Sequence, residues 1–363
     1  MTAGLYVHVP FCLTRCGYCD FNAYAGLGHL AGRYVHALRR EADLHATEWV
    51  GERFASIFLG GGTPTTLATS ALEGLLDHLR VRFDVAPDPE VTVEANPDTV
   101  DEANLVALLD AGVTRLSMGA QSFDPSVLAA LERVHSAESA RCSLAGARTA
   151  GFTNVNLDLI YGANGETVDS WRRTLEETIS LAPEHISAYA LTIEPATPLG
   201  RKVAAGIVPP PDQDLQADMF ELACELLAAA GHRHYEVSNW AKPGFECVHN
   251  LGYWERRPYL GIGAGAHSYR DGRRWWNLRP PEQYLAEVEA DRLPVGGEER
   301  LTLEQERFEE VFLRLRTFEG VPATEASVEL IEAGLLARSN GHVVPTERGM
   351  LVLNELVLAL TSD

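Results

Sequence analysis

Six short runs of apolar and β-branched residues punctuate the first half of the chain, at 5–9, 55–59, 91–94, 115–118, 155–160 and 186–191, with amphipathic stretches between them. Alternation of this kind forces parallel strands, because two parallel neighbours can only be joined by a crossover long enough to hold a helix. Between the second and third runs Leu72, Leu75, Leu76 and Leu79 recur at i, i+3, i+4 and i+7, continued by Phe83, which is the stripe of a helix with one buried face. Leu105, Leu108 and Leu109 repeat the pattern before the next run, closed by Gly112 as a helix stop. Six such units by residue 191 predict an α/β fold, and a partial (β/α)6 barrel more than an open doubly wound sheet, two architectures that sequence separates poorly.

The rest of the chain changes character twice. Residues 196–214 read as a connection, since Pro209-Pro210-Pro211 forbids a regular ladder, and Leu215, Met219, Leu222 and Leu226 mark a further helix ending near Gly231. A segment from 232 to 280 is rich in Trp, Tyr, His and Gly. From 298, a helix with Phe308, Val311, Phe312 and Leu315, a hairpin turn at Asn340-Gly341 and a last helix over 346–360 suggest a small winged-helix-like unit. The expected division is a β/α core over 1–200, an aromatic-rich extension completing the barrel over 201–297, and the C-terminal unit over 298–363.

Charge and apolar content exclude several classes. Thirty Lys and Arg against 51 Asp and Glu give a net −21, which argues against a nucleic-acid surface. No apolar run approaches the ~18 residues of a membrane span, and the first residues lack the pattern of a secretory signal, so a cytoplasmic protein is expected. Of six cysteines, Cys142, Cys224 and Cys247 are scattered, whereas Cys12, Cys16 and Cys19 fall in a CxxxCxxC loop directly after the first strand. Clustered thiols in a cytoplasmic chain read as a metal site. Position 21, where a nearby fourth thiol would stand, is Phe21. Three thiolates on a tight loop can hold a cubane [4Fe–4S] cluster and leave one iron open for a chelating cofactor; the alternatives are chance clustering or a zinc knuckle completed by a His.

The CxxxCxxC loop resembles that of the radical S-adenosylmethionine (SAM) superfamily. Its surroundings, Tyr6-Val-His-Val-Pro-Phe-Cys12 and Cys19-Asp-Phe21, are similar to the oxygen-independent coproporphyrinogen III oxidase family, and within it to the haem chaperone branch. The resemblance implies that Cys12, Cys16 and Cys19 hold the cluster and that the amino and carboxylate groups of SAM chelate the open iron. It further implies that one electron from the reduced cluster cleaves the sulfonium C–S bond to methionine and a 5′-deoxyadenosyl radical; whether this chain completes that reaction is a separate matter.

The later motifs fall at or just past strand ends, where β/α barrels build their sites. Gly60-Gly61-Gly62-Thr63-Pro64-Thr65 offers backbone that a ligand can approach closely, or a plain tight turn. Glu94 can accept from ribose hydroxyls or serve as a helix N-terminal acid. Gln121 and Asp158 can read hydroxyl or amide edges, and Asp158, a carboxylate in an apolar run, needs a polar pocket. Arg133 can fork onto a carboxylate, although taken singly it reads as a surface salt bridge. By resemblance Tyr6, Gly61, Gly62, Thr63, Glu94, Gln121, Arg133, Asp158 and Ala190 are SAM-contacting positions.

Two departures bear on function. The dehydrogenating enzymes of the family carry a fourth Cys where this chain has Phe21, and an N-terminal extension where this chain has eleven residues before Cys12. The segment His249-Asn250-Leu-Gly-Tyr253-Trp254 matches the HNxxYW pattern of the chaperone branch. A neutral imidazole can ligate haem iron and the two aromatics can flank a porphyrin, while the plainer reading is a core His among packing aromatics. Cys247 is a second conceivable ligand but reads better as a buried structural thiol, and Trp275-Trp276 as packing. The glycine-rich stretch 261–268 lacks the context of a dinucleotide loop, and by resemblance lies near the adenosyl end, with His267 in reach. The resemblance thus implies a haem chaperone with a [4Fe–4S] cluster, SAM and haem. Its implied partners are haem-accepting proteins, respiratory or membrane-associated ones among them, and an electron donor such as flavodoxin or ferredoxin, with a homodimer also open. Coproporphyrinogen oxidation to protoporphyrinogen is the enzymatic alternative.

Overall fold

The computed structural model describes residues 2–361; Met1, Ser362 and Asp363, the extreme ends of the first and last expected units, lie outside the described residues. The six apolar runs are six strands, β1 (Ala3–Val9), β2 (Arg53–Gly61), β3 (Asp84–Ala95), β4 (Arg115–Gln121), β5 (Val155–Tyr161) and β6 (His185–Ala190), each parallel to the next. The crossovers contain α1 (Ala31–His45), α2 (Thr69–Arg82), α3 (Glu102–Asp110), α4 (Ala137–Ala150) and α5 (Val168–Ser180). Right-handed crossovers between strands in sequential order put every helix on one face of the sheet. The other face curls into a concave interior, and Tyr6, Glu94, Ser117, Asp158 and Ser187 line it. The helical stripe behaves as expected: Leu72, Leu75, Leu76 and Leu79 are buried against the outer face, where truncating any one to Ala would cost about 2–5 kcal/mol. Helix starts are set locally, as at α4, where the Ser136 and Ser139 side chains each satisfy the other's backbone N–H.

Beyond β6 the chain returns through α6 (Gln213–Ala229) to add β7 (Arg233–Glu236) and β8 (Asn239–Ala241) antiparallel at one end of the sheet. A short helix, α7 (Val248–Trp254), then leads to β9 (Tyr259–Ile262), which pairs parallel to β1 from its far side. From there β10 (His267–Arg270), β11 (Arg273–Asn277) and β12 (Val295–Arg300) continue antiparallel, with α8 (Pro281–Glu289) between the last two. The order β12-β11-β10-β9-β1-β2-β3-β4-β5-β6-β8-β7 makes an open, twelve-stranded sheet.

The C-terminal unit holds α9 (Leu303–Arg314), a three-stranded sheet of β13 (Val321–Pro322), β14 (Leu336–Ser339) and β15 (His342–Pro345), and the helices α10 (Ala326–Glu332), α11 (Glu347–Met350) and α12 (Leu353–Thr361). Asn340 and Gly341 turn the β14–β15 hairpin with φ of 49° and 83°. The single helix expected over 346–360 is instead two. Its first turn is fastened to the hairpin, with the Thr346 hydroxyl donating to Gly334 O at 2.8 Å, and Gly349 lies so close to the Leu335 carbonyl that a Cβ would stand 2.0 Å from its oxygen. Among the described residues no helix is long and apolar enough to cross a membrane.

Candidate functional site

The chain leaves β1 at Val9 and makes a two-residue strand, Phe11–Cys12, parallel to Tyr24–Ala25; the three cysteines occupy the loop these close. The end of β2 is stitched to this loop, Gly62 N donating to Val9 O at 2.8 Å and Thr63 N to Phe11 O at 2.7 Å. That contact explains the glycines. At Gly61, with φ of 108°, a Cβ would stand 2.3 Å from the His8 ring, and at Gly62 one would stand 2.6 Å from Phe11 O. The crowding that demands glycine here comes from the chain itself.

Cys12, Cys16 and Cys19 are free and half-buried. A continuous set of hydrogen bonds ties two of them together. Cys12 Sγ lies 3.6 Å from Thr63 Oγ1, which accepts from Asn96 Nδ2 at 2.8 Å. Arg133 then donates to Asn96 Oδ1 at 2.6 Å and to Cys16 Sγ at 3.3 Å, with a further bond to Gly119 O at 3.0 Å. Arg133 is therefore no surface salt bridge, contrary to its reading in isolation; it is inserted behind the thiols. Burial pushes the Cys12 and Cys19 thiols up, and the neighbouring sulfurs add to this. Soft sulfur donors on one loop, with a guanidinium beside them, suit an electrophilic iron–sulfur cluster that would supply the compensating charge. Among the described residues no three His, Cys, Asp or Glu side chains are placed to hold a single metal ion.

Inside the barrel, Glu94 Oε2 accepts from Gly61 N at 3.0 Å, and burial together with the nearby Asp158 charge pushes its carboxyl up to about 7. Asp158, raised by burial, accepts from Ser117 Oγ at 3.2 Å and Asn156 Nδ2 at 2.9 Å. Both carboxyls line a cavity of about 220 Å³ with Tyr6, Arg115, Asn250 and Tyr253. A larger cavity of about 870 Å³ opens from Tyr6, Gly61 and Glu94 toward the C-terminal unit, reaching Leu313 of α9. Gln121, in a left-handed conformation with φ of 64°, ends β4, and Ala190 ends β6 in an exposed position. Gly62, Thr63, Gln121 and Ala190 line neither cavity. Asn96, Ser117, Asn156 and His8 escaped the sequence reading. Asn156 had a usable signal, since it sits two residues before Asp158 and so on the same strand face.

The HNxxYW segment forms α7, whose N-terminus is held by Glu90, which accepts from Val248 N at 3.0 Å and His249 N at 3.1 Å. His249 is 3% exposed and both its ring nitrogens are engaged, Nδ1 with Ser56 Oγ and Nε2 with Tyr253 Oη, each at 2.9 Å. Its ring stacks on Phe58 at 5.2 Å, and burial with the Arg115 charge pushes its pKa down to about 3, so it is neutral. As placed, His249 has no nitrogen to offer a ligand. Tyr253 lines both cavities, Asn250 the smaller, and Trp254, half-buried, neither. Cys247 is a structural thiol: fully buried, donating to Glu90 Oε1 at 3.4 Å and pushed up to about 12 by burial.

The two tryptophans divide. Trp275 packs, buried, on Trp49, whereas Trp276, contrary to a purely packing role, lines the larger cavity. Beside it the glycine-rich loop is pinned by the buried Glu41, which accepts from Gly263 N at 2.8 Å and from Asn277 Nδ2 and Tyr284 Oη at 2.6 Å each. Just past the C-terminal end of β5, the loop 162–167 closes on its own Glu166, which accepts from Gly162 N at 2.8 Å.

Residues 6–178 match the model of the radical SAM superfamily. The heme chaperone HemW of Mycobacterium tuberculosis is 42% identical, the match spanning 98% of this chain and 94% of that protein. The chain belongs to the HemW family. The HemW of Escherichia coli is 36% identical over 97% of this chain and 96% of its own length. The fold is that of the coproporphyrinogen III oxidase HemN from Escherichia coli, with a TM-score of 0.86 over 99% of this chain and 90% of that one at 24% identity. For this HemW-family chain, the loop of three cysteines, the carboxyl-lined interior and the α7 segment are three parts of one barrel mouth and floor.

Proposed function

We propose that this chain is a haem chaperone that carries a [4Fe–4S] cluster and SAM, takes up haem as cargo and passes it to acceptor haem proteins. The observation that supports this most is the likeness over its whole length to the HemW heme chaperones. In this reading Cys12, Cys16 and Cys19 hold the cluster, and the bound pair of cluster and SAM supplies a one-electron reduction directed at the sulfonium. The chain's own residues orient and shield. Arg133, already bonded to Cys16 Sγ, provides the positive charge for the carboxylate of SAM. Glu94 and Asp158 offer oxygen acceptors for ribose hydroxyls, and with its pKa near 7 Glu94 either accepts or donates there. Tyr6, Gly61, Gly62, Thr63, Gln121 and Ala190 complete the mouth. His249 holds the Tyr253 hydroxyl, and Asn250 and Trp254 flank it, so the HNxxYW segment shapes the wall between the two cavities. Electrons come from a small carrier such as flavodoxin or ferredoxin, and haem leaves for respiratory or membrane-associated acceptors met from the cytoplasm.

The test is anaerobic reconstitution, iron and sulfide counting, electron paramagnetic resonance with and without SAM, and haemin titration of the same sample followed by transfer to an apo haem protein. Cluster signals perturbed by SAM together with haem handover are expected. Zinc in place of iron, or no haemin binding, overturns the reading; so does robust vinyl formation from coproporphyrinogen with dithionite and SAM.

A further inference from the structure

Three histidines line the two cavities, and they differ in what their nitrogens are doing. His8 has Nδ1 at 3.0 Å from Tyr6 Oη and Nε2 at 3.0 Å from Asn22 O. His249 is committed at both nitrogens to Ser56 and Tyr253. His267, at the start of β10, is exposed in the wall of the 870 Å³ cavity, and among the described residues neither of its ring nitrogens has a hydrogen-bond partner. Its ring stacks on Trp276 at 5.7 Å and 28°, which fixes the imidazole plane without occupying a nitrogen. Partial desolvation by the cavity wall and the charges of Arg279 and Arg274 push its pKa down, which favours the neutral form that has a lone pair to give.

The rest of that end of the cavity has a matching character. Trp276, Tyr259 and Tyr269 supply flat apolar area. Arg256 donates to Tyr269 Oη at 3.0 Å, and Arg274 is paired with Glu299 at 3.3 Å and with Glu309. Arg279, on the same wall, has no hydrogen bond or ion pair from its guanidinium among the described residues. One uncommitted imidazole, aromatic faces and one uncommitted guanidinium form the complement of a flat, largely apolar metal complex that bears carboxylates.

Resting on the haem-chaperone reading above, we infer that haem lies in this cavity with His267 on its iron and Arg279 on a propionate, and that His249 of the HNxxYW segment is not the ligand. The bond to iron is dative, from the imidazole lone pair, and moves neither proton nor electron. His249 instead sets the cavity wall by holding Tyr253.

Haemin titration of the full chain with its cluster reconstituted, read by the Soret band and by electron paramagnetic resonance, tests this. His267→Ala is expected to lose the imidazole-ligated spectrum and to weaken binding by about tenfold or more, and added imidazole to restore the spectrum. His249→Ala is expected to keep the spectrum of the unaltered chain. Arg279→Ala is expected to weaken haemin about tenfold and leave haemin dimethyl ester, which lacks the carboxylate charges, unaffected. Binding and spectrum that survive His267→Ala overturn the assignment alone, as does loss in His249→Ala that imidazole repairs. Failure of the unaltered chain to bind haemin overturns the functional reading and this assignment with it.

Discussion

The cysteine loop and the α7 segment are the two densest motifs in the chain, and the fold treats them in opposite ways. At the loop, three thiols are half-buried and free, and the protein has built a polar backing of Thr63, Asn96 and Arg133 against them. At α7, His249 is enclosed and both nitrogens are satisfied inside the protein. A reactive residue type therefore marks a site only where its valence is left open. Where the valence is closed, the same residue type is architecture.

The largest effect that could break this contrast lies at the thiols. Cys16→Ala should abolish cluster content after reconstitution, measured as iron and acid-labile sulfide, because two sulfurs cannot replace three; retention of a full complement would mean the loop is not the cluster site. Arg133→Met, which removes the backing but no ligand, should cost SAM affinity about 10- to 100-fold. Equilibrium binding to the reconstituted protein would show it, with iron content largely retained. At the closed end the expected damage is to stability. Ser56→Ala leaves a buried nitrogen of His249 without its partner and should lower urea-unfolding stability by about 1–3 kcal/mol, with cluster content unchanged; a loss of haem ligation instead would reverse the roles of the two regions.

The smallest effect concerns the loop pinned by Glu41, whose carboxyl burial pushes up to about 7. A carboxyl raised in the folded state is easier to protonate there than in the unfolded chain. Its contribution is thus complete below the unfolded pKa and lost as pH climbs through 7. The unaltered chain should lose stability relative to Glu41→Gln as pH rises from about 4.5 to about 7 and change little above that, seen as a converging or crossing of their urea midpoints. Parallel midpoints would mean Glu41 stays ionised.

What the sequence made legible follows the same physics. The buried parts of the six core strands face helices on one side and a largely enclosed interior on the other, so they read as near-continuous apolar runs, and all but β3, whose exposed first half from Asp84 precedes its run, could be placed within a few residues. Strands β9 to β12 are short and mostly antiparallel, the first three aromatic and β12 polar, and no run announced them. The cysteine triplet was visible because its ligand spacing is local. The bridge from Thr63 through Asn96 to Arg133 was not, since it joins three different crossovers. The chemistry of His249 was visible too, but the Ser56 hydroxyl that occupies one of its nitrogens is 193 residues away.

The arginines at the far end of the larger cavity sit inside a molecule whose net charge is −21. A free dianion diffusing in water feels the envelope first and the guanidinium last, so its capture from bulk is hindered at a distance and rewarded only on contact. Such a field favours passing cargo mouth to mouth between touching proteins over scavenging it from solution.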